Sequence, residues 1–315
     1  MTGTSTRTYP LVFRTIFRVL LAVVLLAILL YFVQFDQIRT AFQQARSEYI
    51  TAAAGLLIFN LGLQILKWRY LLHSSGFPFP WTNITQSFFF GVTVGTLTPG
   101  QLGELGGRGF HLSSGTPEKI IGLTIFDKLQ MLGIMITGGA ISLAILLNLP
   151  PSILLLVIIG SIIILLALIL PPYVALLLQK TGLGDLRNKW VVGFLSVLSS
   201  IKNPRTISVT LALTLLFYTT IWLQLHFLLN AFSPVSLSDS FLGFASMMLA
   251  KSALPITFAD LGTRELGLVF FLSLRSVPEA TAFNSGILLF AINILVPSLI
   301  GLMFIPRSFS LKPTP

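Results

Sequence analysis

Residues 152–170 read SILLLVIIGSIIILLALIL, a segment without a single charged side chain that is followed at once by Pro171 and Pro172. An α-helix needs about 20 apolar residues to cross the hydrocarbon core of a bilayer, and this segment has that length. The whole chain has a similar character, because 54% of its 315 residues are hydrophobic and only 10% are charged. The sequence therefore predicts an all-α polytopic membrane protein.

Further apolar runs of comparable length bring the prediction to about six full spans. The other five are 16–34, 50–72, 118–147, 206–230 and 280–305. The second span ends in Lys67, Trp68 and Arg69, which have the composition of an interfacial anchor on the inner side. Most basic residues between the spans fall on that side. We therefore expect a multi-pass protein of the plasma or inner membrane with both termini in the cytoplasm.

Composition also narrows the possible functions. The chain has no cysteine, which excludes disulfides and zinc–cysteine sites. The formal net charge is +10, and we expect the basic residues responsible for it to contact anionic phospholipid at the inner surface rather than nucleic acid. No phosphate-binding loop for a nucleotide and no metal-ligand spacing occurs, so we expect no cofactor and no metal.

Two apolar segments do not fit the pattern of full spans. Residues 84–98 lead into TPGQLGELGGRG (98–109), and residues 240–258 break within LPITFADLGTREL (254–266). Non-helical backbone at membrane depth is tolerated only inside protein or along a wet cavity, so both segments are predicted to be re-entrant or broken helical hairpins. The residues expected to form the hairpins are Pro99, Gly100, Gly103, Pro255 and Gly262.

The two hairpins lie in passages that echo each other. Trp68 precedes Pro99 by 31 positions, and Trp222 precedes Pro255 by 33. Both passages have the same order of elements: a span, then a broken hairpin, then a Pro-Glu pair that opens the next span. This order suggests an inverted repeat. We expect one integral membrane domain over 1–315, with an N-terminal anchor span (1–49), a first repeat-like unit (50–172), a cytoplasmic amphipathic linker (173–205) and a second repeat-like unit (206–306).

Charged residues inside a bilayer are costly, and here they concentrate in the hairpins and in the third span. We interpret them as the lining of a hydrated cavity that binds an anionic head group, because the arginine fork holds phosphate in a bidentate manner. The expected substrate-binding residues are Glu104, Arg108, Asp127, Lys128, Lys251, Arg264 and Glu265. In the other interpretation, Glu104–Arg108 and Arg264–Glu265 are ion pairs that only let the hairpins pack.

The stretches PGQLGELGGR (99–108) and LPITFADLGTRE (254–265) resemble the two signature stretches of the lysylphosphatidylglycerol synthase transmembrane-region family, also called the flippase-like domain family. This resemblance implies a relation to the part of the multiple peptide resistance factor that moves lysyl-phosphatidylglycerol across the bilayer. Ala259 and Asp260 stand where that family usually has a glycine. The matched residues are Pro99, Gly103, Glu104 and Arg108 in the first motif, Pro255, Gly262, Arg264 and Glu265 in the second, and Asp127 and Lys128 in the following span.

The aminoacyl transferase domain of some relatives is not in this sequence, so we do not expect an enzyme. The favoured function is translocation of a membrane lipid or lipid-linked glycan. Two alternatives remain open: a membrane scaffold for a separate synthase or glycosyltransferase, and an intramembrane transferase or hydrolase. In the last case a carboxyl group at Glu104, Asp127, Asp260 or Glu265 would act as general acid or base.

Overall fold

The computed structural model of the chain describes residues 43–112, 117–170, 195, 197–198, 203–253, 257 and 260–305. Most of these residues are helical, and no β-strand occurs among them, which confirms the all-α prediction. The helices in chain order are α1 (Ser47–Ser74), α2 (Trp81–Thr96), α3 (Gly103–Gly107), α4 (Pro117–Leu146), α5 (Pro151–Ile169), α6 (Pro204–Phe232), α7 (Leu237–Ala253), α8 (Thr263–Ser273), α9 (Glu279–Phe290) and α10 (Val296–Leu302), with a π-helical turn at Ala291–Leu295 joining the last two.

Five helices are long and apolar enough to cross a membrane: α1, α4, α5, α6 and the continuous Glu279–Leu302. They match the five predicted spans from 50–72 onward. The span predicted at 16–34 lies outside the described residues, as does most of the linker predicted at 173–205. Local sequence explains where these helices begin. Proline occupies the first turn of α5 and α6, and the side chain of Asn203 caps α6 by accepting a hydrogen bond from the Arg205 N–H at 2.9 Å.

Helices α1 and α6 pack along each other in antiparallel orientation. At one end the Arg46 N–H donates to the Ala231 carbonyl oxygen at 2.9 Å, and further along Lys67 Nζ donates to Thr214 Oγ1 at 2.9 Å. The beginning of α1 therefore lies beside the end of α6, and the two helices finish at opposite ends of the bundle.

The first hairpin consists of α2, a turn and the segment around α3. Asn83 Nδ2 donates to the His111 carbonyl oxygen at 3.1 Å, and Ser87 Oγ donates to that of Arg108 at 2.5 Å. Nearer the turn the backbones approach so closely that a Cβ on Gly107 would lie 2.9 Å from the Gly91 Cα. The returning chain thus runs back along α2, so the hairpin is re-entrant.

The second hairpin, formed by α7 and α8, is built in the same way. Lys251 bonds to Asp260 at 2.8 Å near its tip, and Arg275 Nε donates to Asp239 Oδ1 at 2.6 Å at its open end. The hydrogen bond from Ser236 and then the contacts with Arg275 hold the pKa of Asp239 below its usual value. Contacts at both ends mean that this hairpin also returns to the end of the bundle from which it enters.

The two hairpins enter from opposite ends of the bundle, because each begins where one of the antiparallel helices α1 and α6 finishes. Their tips meet between the two ends, where Gln101 Nε2 donates to Asp260 Oδ2 at 3.4 Å. Buried apolar side chains lie on both sides of this meeting point. One cluster surrounds Trp68 and Phe88, and the other surrounds Phe244 and Leu268.

Each hairpin packs against the span that directly follows the hairpin of the other half of the chain. In the first case Thr93 Oγ1 on α2 donates to the Ser298 carbonyl oxygen on α10 at 2.9 Å. In the second case α7 crosses α4 at Gly139, where an added Cβ would lie 2.7 Å from the Ala245 carbonyl oxygen. Gly301 on α10 has the corresponding position beside Phe89 of α2. Each half of the chain thus supplies a span on which the hairpin of the other half packs, as expected of two related units.

A pair of tryptophans repeats the relation in detail. Trp68 Nε1 on α1 donates to Ser87 Oγ on α2 at 3.2 Å. Trp222 Nε1 on α6 donates to Ser240 Oγ on α7, also at 3.2 Å. In both halves the long helix is thus joined to the hairpin that follows it by the same bond, which agrees with the inverted repeat inferred from the sequence.

Candidate functional site

Both hairpin tips contain backbone in the left-handed region. In the first, Gly100 has φ 60° and Gln101 has φ 57°; in the second, Asp260 has φ 60° and Gly262 has φ 84°. Glycine adopts this conformation without steric cost, whereas glutamine and aspartate do so at some expense. Such strained residues persist where the surrounding structure fixes them, and they cluster at ligand sites.

A cavity of about 440 Å³ lies where the tips meet. Helices α1, α4, α6 and α7, both tips and the α9–α10 segment contribute to its wall. Five basic and three acidic side chains line it, so the wall carries more positive than negative formal charge. They are Lys67, Arg108, Lys128, Lys251 and Arg264, and Glu104, Asp127 and Asp260.

The wall on the side of the first hairpin is a continuous chain of ion pairs. Arg108 stands at its centre, with Nη2 at 2.5 Å from Glu104 Oε1 and Nη1 at 2.9 Å from Asp127 Oδ2. Lys67 pairs with the other oxygen of Asp127, and Lys128 pairs with the other oxygen of Glu104. Three cations thus share two carboxylates, and the cluster keeps one formal positive charge.

Local sequence explains the placement of Arg108. It follows Glu104 by four residues, so one turn of the short α3 aligns the two side chains. Its guanidinium carbon lies 4.8 Å from the ring centroid of Trp68 and 5.6 Å from that of Phe88. A Cβ on Gly91 would lie 2.5 Å from the Arg108 Cγ, so glycine at that position makes room for the arginine stem.

The second hairpin contributes a smaller charged group. Asp260 accepts from Lys251 Nζ at 2.8 Å and from Gln101 across the cavity. Arg264 is 3% exposed, and its guanidinium carbon lies 5.7 Å from the ring centroid of Phe290. Asp260 and Arg264 have the same spacing as Glu104 and Arg108, and each acid–base pair lies just beyond a hairpin tip.

Six of the seven predicted substrate-binding residues line this one cavity: Glu104, Arg108, Asp127, Lys128, Lys251 and Arg264. The seventh, Glu265, is not among the lining residues. It is fully buried, and its Oε2 accepts a hydrogen bond from the Gly262 N–H at 2.7 Å, which caps the start of α8. Its observed contact is therefore a helix-capping one.

The predicted hairpin-forming residues are also found at the turns, as far as the structure describes them. Gly100 lines the cavity, and Gly103 lies against the Val94 carbonyl oxygen, where a Cβ would not fit. Pro99 begins the turn, and its carbonyl oxygen accepts from the Leu102 N–H at 3.4 Å. Gly262 precedes α8 with its positive φ. Pro255 lies outside the described residues.

The interpretation of Lys67 and Trp68 as an interfacial anchor was wrong. Trp68 is fully buried, and Lys67 is 6% exposed with its ammonium on Asp127. A signal was present in the sequence, because Asn60, Gln64 and Lys67 follow at spacings of four and three residues in an otherwise apolar helix. Such a polar stripe indicates a buried wet face. All three residues line the cavity.

The arrangement is suited to holding an anion. Carboxylates keep the cations extended and oriented, while the excess of positive charge leaves capacity for a further negative group. Oxygen atoms of a phosphate could replace Glu104 at Lys128 or Asp127 at Lys67. The lysine would then keep an anionic partner, and the carboxylate would keep Arg108. Amides at Asn60, Gln64 and Gln101 add neutral hydrogen-bonding groups to the same wall.

Comparison with known proteins agrees with these features. The family described as lysylphosphatidylglycerol synthase TM region matches residues 15–301, which is nearly the whole chain. No curated protein matches the chain. Because this match covers well over half of the sequence, the chain belongs to the lysylphosphatidylglycerol synthase TM region family.

Proposed function

We propose that the protein is a flippase-like translocase for a membrane lipid or a lipid-linked glycan. In this proposal the phosphate-bearing head group lies in the cavity between the hairpin tips, while the hydrocarbon chains stay in the bilayer. The observation that carries the proposal is a cavity lined by five basic side chains, deep within a bundle of helices that are long and apolar enough to cross a membrane.

The depth of the cavity supports this function. Asp127 lies about 15 Å along α4 from Pro117 at about 1.5 Å per residue, and the whole helix is about 45 Å long. Lys251 lies about 21 Å along α7 from Leu237, entering from the opposite end. Both charges are therefore far from either end of the bundle. Holding them there is costly unless they are paired or hydrated, which is typical of a substrate pathway.

The relation between the two hairpins supports movement of the head group from one leaflet to the other. Each hairpin closes the cavity from one end, and their tips touch through Gln101 and Asp260. Displacement of one tip would open the cavity toward one side while the other tip keeps the far side closed. Alternating exposure of a central site between two such elements is the mechanism of many transporters with inverted repeats.

The test is head-group translocation in vesicles that contain the purified protein and a fluorescent phosphatidylglycerol. We expect Lys251→Gln to slow translocation about 10- to 150-fold, because a charge-assisted bond to phosphate contributes about 1.5–3 kcal/mol. Lys119→Gln is the matched control, since Lys119 is exposed near the start of α4 and does not line the cavity. Equal rates for wild type and both variants would refute a role of the cavity.

The same proposal includes an orientation and an organisation. Both termini lie in the cytoplasm of a cell whose plasma or inner membrane holds the protein, and anionic phospholipid contacts the basic inner surface. Residues 50–172 and 206–306 act as the two repeat-like units, and a membrane-bound synthase or glycosyltransferase is a candidate partner. Because the chain has no native cysteine, single cysteines at Ser75 and at the exposed Ser238 can be labelled from one side at a time. Cytoplasmic labelling at position 238 instead of position 75 would contradict this orientation.

A further inference from the structure

The geometry points to a lateral entrance into the cavity, between the first hairpin and α4, through which a phosphate-bearing amphiphile enters from the bilayer. Its hydrocarbon chain lies across apolar residues at this entrance while its head group reaches Lys128. The inference rests on the proposed function of the cavity. It adds the route of entry and a site for the chain.

Lys128 differs from the other paired charges of the cavity in its exposure. Its side chain is 41% exposed, whereas that of its partner Glu104 is 5% exposed and those of Arg108 and Asp127 are 3% and 8% exposed. At the second hairpin, Lys251 is 16% exposed. The chain of ion pairs therefore begins at an accessible ammonium group and leads inward to buried ones.

On its accessible side, Lys128 is accompanied by apolar residues that are partly exposed. Leu129 on α4 lines the cavity and is 37% exposed, and Leu102 at the tip of the first hairpin lines it and is 67% exposed. Ile125 and Leu132 extend the same strip of α4, at helical spacings of three and four residues. The entrance thus has leucine side chains on both sides and a lysine between them.

The entrance faces the hydrocarbon rather than either aqueous phase. Lys128 lies about 16 Å from the beginning of α4 and about 27 Å from its end, by the helical rise per residue. An opening at this depth admits molecules that are already in the membrane. The side chains there fit such a molecule, because the leucines match a hydrocarbon chain and the ammonium group matches an anionic phosphate.

The pair between Lys128 and Glu104 gives the entrance its selectivity. Glu104 also accepts from Arg108, so it keeps a cationic partner when Lys128 turns to an incoming phosphate. The phosphate of a zwitterionic head group already has its own ammonium group as a partner, and that ammonium group would add a further cation to a wall with five basic side chains. The entrance is therefore selective for anionic amphiphiles over zwitterionic ones.

Photo-crosslinking tests this entrance directly. The full chain, with the photoreactive residue benzoylphenylalanine at position 129, is placed in vesicles of phosphatidylcholine that contain a minor fraction of phosphatidylglycerol or of a polyprenyl phosphate. The control has the same group at Leu156, which is 67% exposed on α5 and does not line the cavity. We expect the anionic lipid to be enriched about tenfold among the adducts at position 129 relative to position 156. The two lipids distinguish a phospholipid from an isoprenoid substrate.

Adding Lys128→Gln to the position-129 protein is expected to abolish the enrichment while adducts with phosphatidylcholine persist. Identical adduct composition at positions 129 and 156 would overturn the entrance, even if translocation depends on Lys251. The opposite result is also informative. If the enrichment depends on Lys128 but no head group crosses the vesicle membrane, the entrance is supported and translocation is refuted. Leu129→Trp, compared with Leu156→Trp, gives an independent measure, since only the former should obstruct entry and slow translocation.

Discussion

Replacement of Asp127 by asparagine should be one of the most destabilising single changes to the charged cavity. Asp127 accepts from both Lys67 and Arg108, and all three side chains are at most 8% exposed. In the wild type, three cations share two carboxylates. In Asp127→Asn the same three cations share Glu104 alone, and Lys67 loses its only carboxylate among the described contacts.

Removing one partner of a buried ion pair costs about 3–5 kcal/mol, because the other charge is left uncompensated. Lys67→Met should cost less, since Asp127 then still has Arg108 and the methionine retains most of the apolar stem. The double variant Asp127→Asn/Lys67→Met has the formal charge of the wild-type cluster. We therefore expect it to recover at least half of the stability that Asp127→Asn loses.

The measurement is reversible unfolding of the purified protein in lipid–detergent mixtures, followed by helical circular dichroism, for the wild type, both single variants and the double variant. A double-mutant cycle gives the coupling free energy of the pair. Additive losses in the double variant would refute the charge-balance reasoning. A loss below about 1 kcal/mol in Asp127→Asn would show that water rather than Lys67 satisfies this carboxylate.

Three further predictions concern the packing of the hairpins. Gly301→Ala should destabilise the protein by about 1–3 kcal/mol because its methyl group would overlap the Phe89 carbonyl oxygen, whereas Gly160→Ala, with open space around it, should not; thermal unfolding of the two variants compares them. Ser87→Ala and Ser240→Ala should each cost about 1–3 kcal/mol because each leaves a tryptophan N–H without its acceptor, and markedly unequal losses in chemical unfolding would argue against equivalent hydrogen bonds in the two halves. The pKa of Asp239 is lower in the folded than in the unfolded protein, so this carboxylate should stabilise the fold fully above its unfolded pKa, at pH about 4. The stabilisation should disappear as the pH falls through the folded pKa. The difference in unfolding free energy between wild type and Asp239→Asn, measured as a function of pH, tests this.

Most of the fold was predictable because the bilayer imposes simple rules on sequence. The length of the uncharged run was enough to predict that α5 crosses the membrane. The hairpins were indicated by proline and glycine at the ends of segments that are too short to cross the bilayer. The charges that belong together were recognisable because charge at such depth is rare. What the sequence did not determine was which charges meet, since Lys67 and Asp127 are brought together by the packing of α1 beside α4.

The roles of individual charges depended on details that composition does not contain. Lys67 lies next to Trp68 and Arg69 in sequence, and this neighbourhood favoured an interfacial position. Only Arg69 makes an outward contact of that kind, with its guanidinium carbon 4.0 Å from the ring centroid of the exposed Trp81. Glu265 was grouped with Arg264 as a ligand. Its adjacent position on α8 instead turns its side chain toward the Gly262 N–H.

The exchange of hairpins between the two halves has a consequence for how the protein is made. Thr93 on the first hairpin bonds to Ser298, 205 residues later in the chain. At a synthesis rate of about 5–20 residues per second, the ribosome needs about 10–40 seconds to deliver that docking surface. During this interval Glu104 and Arg108 are already in or near the membrane without the helix that finally holds their hairpin. The charged hairpin is therefore synthesised well before the helix on which it packs, and its final docking is expected to be a late step of folding.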